Sequence, residues 1–370
     1  MRVIYGAFAQ GQGHFSKAAV LVPLLEARGH DVLVVSSGWE TPPKGYGFRR
    51  HRHFPGMAYV VANGRTDVRG TVLKWLKEAP QVMRHLWQVR TLVREFQPDL
   101  ILSDFEPLTA SPLLQAKCEV ICISRQVALF DRQIPLPETG GPARSQAGAW
   151  ERGSERKLAR TTIRLFTAGA DRLFGYHYEP ASSRCVPPII RREIAALRPQ
   201  PGEHVFVYNH YDTAESGSPQ RLVAWADRND VPVRAYGFPE FPRGLHGRVQ
   251  FQPPGRQTLL DDLRTARAVF TSAGLTTPLE AFLLNKPVVA VPLPNQWEQE
   301  VNAYHLQAAG LARASRNWDY DLTFELSAPG DNHPLRAWLT VSAEQVLDHV
   351  LRGTPLEDRR AEPKRQPLAA

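Results

Sequence analysis

The sequence predicts an α/β fold of two Rossmann-like halves, each a doubly wound, parallel sheet covered by helices. Three observations carry that prediction. Short apolar runs of strand length alternate with helix-period segments along most of the chain. The alternation halts in a proline-rich stretch near residue 190 and then restarts. The length of 370 residues, with 43% hydrophobic content, exceeds what one core usually holds at about 100–200 residues per domain.

The elements follow in order. "RVIYGAF" (2–8) reads as a buried strand, Gly11 and Gly13 as a turn, 15–28 as a helix and "DVLVVS" (31–36) as the next strand, a βαβ opening. "RRHRH" (49–53) reads as a basic loop and "MAYVVA" (57–62) as a strand. A long amphipathic helix spans 71–96, with Trp75, Ala79, Val82, Leu86, Val89, Val93 and Phe96 at spacings of three and four and a kink expected at Pro80. "DLILSD" (99–104) and "VICIS" (120–124) are strands, 131–150 is a Pro/Gly-rich loop placed to close over a substrate, and 151–168 is a helix. Beyond the prolines, strands are expected in "HVFVYNH" (204), "VPVRAYG" (231), "RVQFQP" (248), "AVFTS" (268) and "VVAVP" (288), followed by a helix at 342–352. The predicted organisation is an N-terminal domain over 1–186, a linker over 187–203, a C-terminal domain over 204–325, a helical segment over 326–355 and a disordered tail over 356–370.

Composition narrows the function. Net charge is +8, and residues 1–185 carry 25 Lys and Arg against 16 Asp and Glu, whereas the remainder carries 20 against 21. The basic half is expected to meet something anionic: nucleic acid, an acidic membrane surface and a phosphorylated small substrate all fit. Lys74, Lys77, Arg84, Arg90 and Arg94 on the long helix suit anionic lipid or a phosphorylated acceptor, although solvated charges over a packed apolar stripe are the commoner reading of such a helix. Cys118, Cys122 and Cys185 are too few and badly spaced for a zinc site or a disulfide framework and read as reduced packing residues. The N-terminus runs straight into a strand pattern without signal-peptide anatomy, and no run approaches the ~18 apolar residues of a membrane span. The expected location is the cytoplasm, at the inner membrane face if the basic helix meets lipid.

The stretch "FTSAGLTTPLEAFLLNKPVVAVP" (270–292) is the most informative. Thr277, Pro278 and Glu280 read as a capping box with proline at the first helical position, and Asn285 with Pro287 ends the helix. Ser272, Ala273, Gly274 and Thr276 then lie between the carboxyl end of a strand and a helix N-terminus, where small residues and the helix dipole favour a phosphate. Taken alone, such a turn is common in α/β proteins and Glu280 reads as a capping residue.

With "GQGH" after the first strand, "PDLILSDFEP" (98–107), "FQPPGRQTLLDDL" (251–263) and "TSAGLTTPLEAFLLNKPVVAVPLPNQWEQEVNA" (271–303), the chain resembles the inverting GT-B glycosyltransferases. That group includes the bacterial lipid II N-acetylglucosaminyltransferase and the UDP-sugar-dependent transferases. The resemblance covers most of the chain and implies two Rossmann-like domains facing a cleft. It implies a nucleotide-sugar donor, UDP-linked in that group, with its diphosphate at Ser272, Ala273, Gly274, Thr276 and Thr277 and its ribose at Glu280. The sugar falls to Gln296, Glu298 and Gln299, and the base to the backbone at Phe251 and Gln252, with Asn209 nearby. The chain reads "NQWEQE" where relatives carry Asp-Gln or Gln-Gln pairs, so the sugar is left open. Retaining GT-B enzymes carry two glutamates eight apart here. Ser272 stands at the first of those positions, which implies inversion.

Such a transfer needs a general base for the acceptor hydroxyl. His14, at the start of the first helix where the dipole disfavours imidazolium, is the candidate, with Asp104 at a strand end to orient it. Both residues also read as simple loop caps. Gly11, Gly13, Ser124, Arg125 and Gln126 are candidate acceptor contacts. No metal and no cofactor beyond the donor is expected, nor is nucleic acid; the acceptor is an unspecified hydroxyl compound. A dehydrogenase is disfavoured because "GQGH" lacks a third glycine and no acidic residue follows Ser36 and Ser37. The alternatives carried forward are a non-catalytic nucleotide-sugar-binding protein and a GT-B UDP-sugar 2-epimerase, whose N-terminal Gly-Thr-Arg-Pro-Glu loop is absent here.

Overall fold

The computed structural model describes residues 1–42, 44–62, 65–136, 149–209, 218–238, 241–253, 255–293 and 296–356. The core of the expected loop over 131–150 and the expected tail lie outside the described residues. The first half runs β1 (Arg2–Ala9), α1 (Gly13–Ala27), β2 (Asp31–Gly38), β3 (His51–Pro55), β4 (Val61–Ala62), β5 (Arg65–Thr66), α2 (Val68–Phe96), β6 (Leu100–Asp104), β7 (Glu119–Ser124), α3 (Arg125–Ala128), α4 (Ala149–Phe166), β8 (Arg172–Tyr176) and β9 (Cys185–Val186). After α5 (Arg192–Ala196) come β10 (Val205–Tyr208), α6 (Pro219–Arg228), β11 (Val233–Tyr236), β12 (Gly244–His246), β13 (Val249–Phe251), α7 (Arg256–Thr265), β14 (Ala268–Ser272), α8 (Thr276–Leu283), β15 (Val288–Val291), α9 (Trp297–Ala308), β16 (Arg313–Ala314), α10 (Arg336–Leu339) and α11 (Ala343–Arg352).

Two seven-stranded sheets result, in the orders β3-β2-β1-β6-β7-β8-β9 and β12-β13-β11-β10-β14-β15-β16. Every pairing in them is parallel except the β12–β13 hairpin. Central strands of such a sheet are covered on both faces, which explains why β1 and β2 are continuous apolar runs rather than alternating ones. In each sheet the chain reverses its direction of winding once: between β1 and β6 in the first, and between β10 and β14 in the second. A crevice at such a reversal, beyond the carboxyl ends of the strands, is where doubly wound sheets hold ligands. The site residues derive their positions from these two reversals.

Two sequence expectations are corrected. "RRHRH" is not a loop: His51–Pro55 pairs in parallel with Val34–Gly38 as β3, an edge strand whose polar sequence suits its exposed side. Ser36 Oγ lies 2.8 Å from both His51 Nε2 and His53 Nδ1 and ties the edge down. The helix after β14 lacks a capping box. It begins two residues early, with Leu275 at the N-cap making no side-chain bond, so Pro278 stands at the third helical position and Glu280 faces elsewhere. Residues 172–176, 185–186 and 244–246 are further strands that the sequence reading passed over.

The C-terminal helix returns to the first half. Val346, Leu347 and Val350 of α11 are buried in the cluster that contains Val3, Tyr5, Phe15 and Leu21, each such side chain contributing at most ~1.5–3 kcal/mol. Arg28 donates to both carboxylate oxygens of Asp348, at 2.9 and 3.1 Å, and Ser342 with Gln345 forms a true capping box. Among the described residues no helix is long and apolar enough to cross a membrane.

Candidate functional site

The first reversal places β1 beside β6, with Ala7 in register with Asp104. The chain leaves β1 through Gly11 at φ 88° and enters α1 at Gly13, so that His14 stands in the first turn of the helix. A Cβ built on Gly13 meets nothing within 4 Å, so the backbone there borders open space. Gly6 has the opposite requirement. A Cβ there would lie 2.2 Å from Thr109 Oγ1, so only glycine lets the segment after β6 close over β1. That segment starts at Phe105, whose φ of 58° is a left-handed conformation costing an L-residue about 1–2 kcal/mol. Strain of this kind persists where the surroundings over-determine it and is frequent at functional sites.

Asp104 is wholly buried, and its Oδ1 accepts from His14 Nδ1 at 2.8 Å. The carboxylate thus fixes the tautomer: Nδ1 carries the proton and Nε2 is the basic nitrogen. Phe105 stacks on the imidazole at 6.3 Å and 17°, and Phe8 meets it edge-on at 6.0 Å. Those two rings belong to a cluster with Ile163 and Phe166 of α4 that also includes Val301 of α9, with Trp297 against it. The cage around His14 is therefore built partly by the second half of the chain.

At the second reversal, β14 ends in Ser272. Ala273 N–H donates to Val291 and Gly274 N–H to Ser272, both backbone carbonyls, at 2.9 and 2.8 Å. The first-turn amides of α8, at Thr276 and Thr277, have no carbonyl one turn back. Asn209 follows β10 and is buried, its amide donating to Tyr236 O at 3.0 Å. Phe251 packs its ring among Phe238, Phe241 and His246. The Gln252 amide donates to Ala235 O at 2.8 Å, and its side chain donates to Asp262 at 3.0 Å. Any backbone contact to a base from this loop consequently falls to carbonyls.

Glu280 is wholly buried and is held by Arg191, a residue of the segment 187–203 that the sequence predicts as a linker. Arg191 Nε donates to Oε1 at 2.5 Å and Nη2 donates to Oε2. Burial opposes the Arg191 charge, but the Glu280 carboxylate and its hydrogen bonds outweigh that and hold the guanidinium above its ordinary range. With the carboxylate wholly buried, a ribose reaches it only if a group that covers it moves.

Arg125 and Gln126, expected on the acceptor side, instead bridge the halves. Arg125 is 1% exposed and donates to Asn302 Oδ1 at 2.8 Å, Tyr176 O at 3.1 Å and His305 Nδ1 at 2.8 Å, with Tyr178 under its guanidinium at 4.8 Å. Asn302 in turn donates to Ala273 O at 3.1 Å. Burial and then the Arg125 charge push the His305 imidazole down to about 4, matching its role as acceptor from the arginine. Gln126 Nε2 donates to Glu298 Oε2 at 3.0 Å, while Gln126 Oε1 and Gln296 Oε1 are buried without a hydrogen-bond partner among the described residues. Gln299 Oε1 accepts from Leu293 N–H at 3.0 Å, and Ser124 Oγ caps α3 by accepting from Val127 N–H at 3.3 Å. Lys17, Arg191, Asn302 and His305 are the site neighbours that the sequence reading missed. Only Lys17 carried a local signal, standing three residues after His14 on the same helical face. Among the described residues no three His, Cys, Asp or Glu side chains converge as a metal-binding group.

The family described as Glycosyl transferase family 1 matches residues 1–324. Solved structures agree on the fold. The glycosyltransferase of kitacinnamycin is similar at 17% identity and a TM-score of 0.56, over 95% of this chain and 91% of that one. Phytolacca americana UGT2, complexed with UDP-2-fluoro-glucose and pterostilbene, is 14% identical with a TM-score of 0.55, over 87% of each chain. The spinosyn rhamnosyltransferase SpnG is 16% identical with a TM-score of 0.53, over 88% and 90%. No curated protein matches the chain by sequence.

Proposed function

The chain belongs to glycosyl transferase family 1 and is a glycosyltransferase of the GT-B fold, and from that premise we propose that it transfers a sugar, with inversion and without a metal, from a UDP-linked donor to an acceptor hydroxyl. In this reading residues 1–186 form the acceptor side and 204–325 the donor side. His14 Nε2 takes the acceptor proton while Asp104 steadies the imidazolium that forms. The open N-terminus of α8 and the turn at Ser272–Gly274 meet the diphosphate, whose departing charge the helix dipole favours. Glu280 exchanges Arg191 for the ribose hydroxyls.

The observation that carries this reading is the His14–Asp104 pair at 2.8 Å, set at the first reversal and caged by rings that pack on α9. The same cluster takes in Trp297 and Val301 of α9, the helix that Gln296 precedes and that carries Glu298 and Gln299. The unpartnered acceptors Gln126 Oε1 and Gln296 Oε1 suit the hydroxyl donors of a sugar. The UDP assignment draws on the UDP-2-fluoro-glucose named with UGT2. Incubation with UDP-hexoses in EDTA, read as UDP release, tests it: slow turnover of at least one donor is expected. Release that requires a divalent cation, or an isomeric sugar nucleotide as product, contradicts it, the latter in favour of an epimerase.

The same reading extends to a membrane surface. Leu73 and Leu76 of α2 are 67% and 68% exposed, with Met83 and Trp87 continuing the stripe along a face flanked by Lys77 and Arg84. An apolar stripe beside basic residues suits the headgroup region of an anionic bilayer. Sedimentation with anionic vesicles is expected to carry the protein down, and Leu73→Asp with Leu76→Asp to weaken that binding at least about tenfold. Equal binding of both proteins removes α2 from any membrane contact.

A further inference from the structure

Lys17 lies one turn after His14 on α1, and its side chain is only 6% exposed. Its Nζ stands 3.1 Å from Asp104 Oδ2, the oxygen opposite the one that meets His14, and 5.1 Å from the centre of the Tyr176 ring. The approach to Oδ2 lacks hydrogen-bond geometry, so what joins the two groups is charge. An ammonium is rarely buried without a counter-charge, and this one is buried against a carboxylate that already serves a histidine.

We propose that Lys17 is a positioning residue for the transfer: it shares the Asp104 carboxylate with the imidazole and thereby limits how strongly that carboxylate favours imidazolium. The proposal rests on the reading of His14 as the base.

The charges make the argument. With the imidazole neutral, Lys17, Asp104 and His14 sum to zero; protonation makes the cluster a buried +1. Without the lysine the same two states are −1 and zero, and protonation neutralises the cluster instead of charging it. A carboxylate alone would orient the ring and also hold its proton. The added cation keeps the orientation and opposes the protonation. This suits a base that must be unprotonated when the acceptor arrives and must release its proton afterwards.

The other titratable groups around the cluster are common to the wild type and the Lys17 variants. Tyr5 on β1 and Tyr176 on β8 both feel the Asp104 charge. Burial first, and that carboxylate among the further causes, hold both phenols well above their ordinary range. Cys122 on β7 is pushed up to about 12 by burial. Glu106, just past Phe105, is raised by burial and accepts from the Ser37 hydroxyl and from the Leu108 and Thr109 amides. Phe8 and Phe105 supply no charge. All of these stay in place when Lys17 is replaced.

Lys17→Met removes the charge and keeps most of the stem. The acid limb of kcat/KM against pH is expected to move to higher pH by about one unit, so that a roughly tenfold deficit on that limb disappears at alkaline pH. Lys17→Arg, which keeps the charge, is expected to retain the wild-type limb. The imidazole is followed directly by NMR with 13C-labelled histidine, the His14 resonance being identified by its loss in His14→Gln. Lys17→Gln is titrated as well, so that the test does not depend on one variant folding. A His14 resonance that titrates at the same pH with and without the lysine overturns the proposal, as does a deficit equal at every pH. If the resonance moves while His14→Gln still transfers sugar, the coupling is real but the base reading fails, and the proposal fails with it.

Discussion

His14→Ala is expected to lower kcat for sugar transfer by about 10²–10⁴-fold, the usual contribution of a positioned general base, with donor affinity unchanged. The split follows from the geometry. His14 touches Asp104, Phe8 and Phe105, all in the first half of the chain. The residues assigned to the donor stand on or beside β10, β13, β14, α8 and α9, all in the second half. Removing the imidazole takes away the proton acceptor without touching the donor side, so calorimetric titration with UDP should match wild type while turnover collapses. The loss should not be recovered at alkaline pH, because no other group in the cage ionises to replace the ring: Tyr5 and Tyr176 are held protonated by burial above all. Wild-type turnover in this variant would reduce the His14–Asp104 pair to a structural contact.

Glu280→Gln should have the largest effect on stability, about 3–5 kcal/mol, because it leaves the Arg191 guanidinium largely buried without its counter-charge. A second consequence follows if the ribose reading is right. Loss of a charged acceptor for hydroxyl donors, worth about 1.5–3 kcal/mol, weakens UDP binding by about ten- to a hundredfold. The two consequences separate in the double variant Glu280→Leu with Arg191→Met. Replacing a buried ion pair by apolar side chains of similar volume is often neutral or stabilising, so denaturant unfolding should show stability largely restored while UDP affinity stays low. Restored affinity in the double variant would show that the pair serves the fold alone.

What the sequence revealed and what it concealed divide by the range of the interaction. Buried parallel strands announce themselves as apolar runs, and the order of βα units fixes which strand ends adjoin, so β1 with β6 and β10 with β14 could be anticipated. That order brings the start of α1 beside the end of β6, and the pairing of His14 with Asp104 across 90 residues is what the resemblance to GT-B transferases adds. β3 escaped because an edge strand is half solvated and its "HRHFP" lacks the apolar signature. The capping pattern at Thr277 and Glu280 misled because a local motif competes with tertiary partners. Arg191, 89 residues away in sequence, offers Glu280 a charge that a backbone amide cannot match. Arg125 misled for a similar reason: its strand-end position suggested a substrate contact, and nothing nearby in sequence foretold Asn302 and His305.

The stereochemistry of the donor reaction tests the central claim most directly. An in-line attack activated by a single base inverts the anomeric centre, whereas retention requires a second displacement or a different attacking face. In the EDTA reaction with UDP-α-hexoses, proton NMR recorded before mutarotation reads the anomer first released to water or first joined to an acceptor. The predicted product is the β-anomer, formed by the wild type and lost in His14→Ala. First formation of the α-anomer would contradict the account.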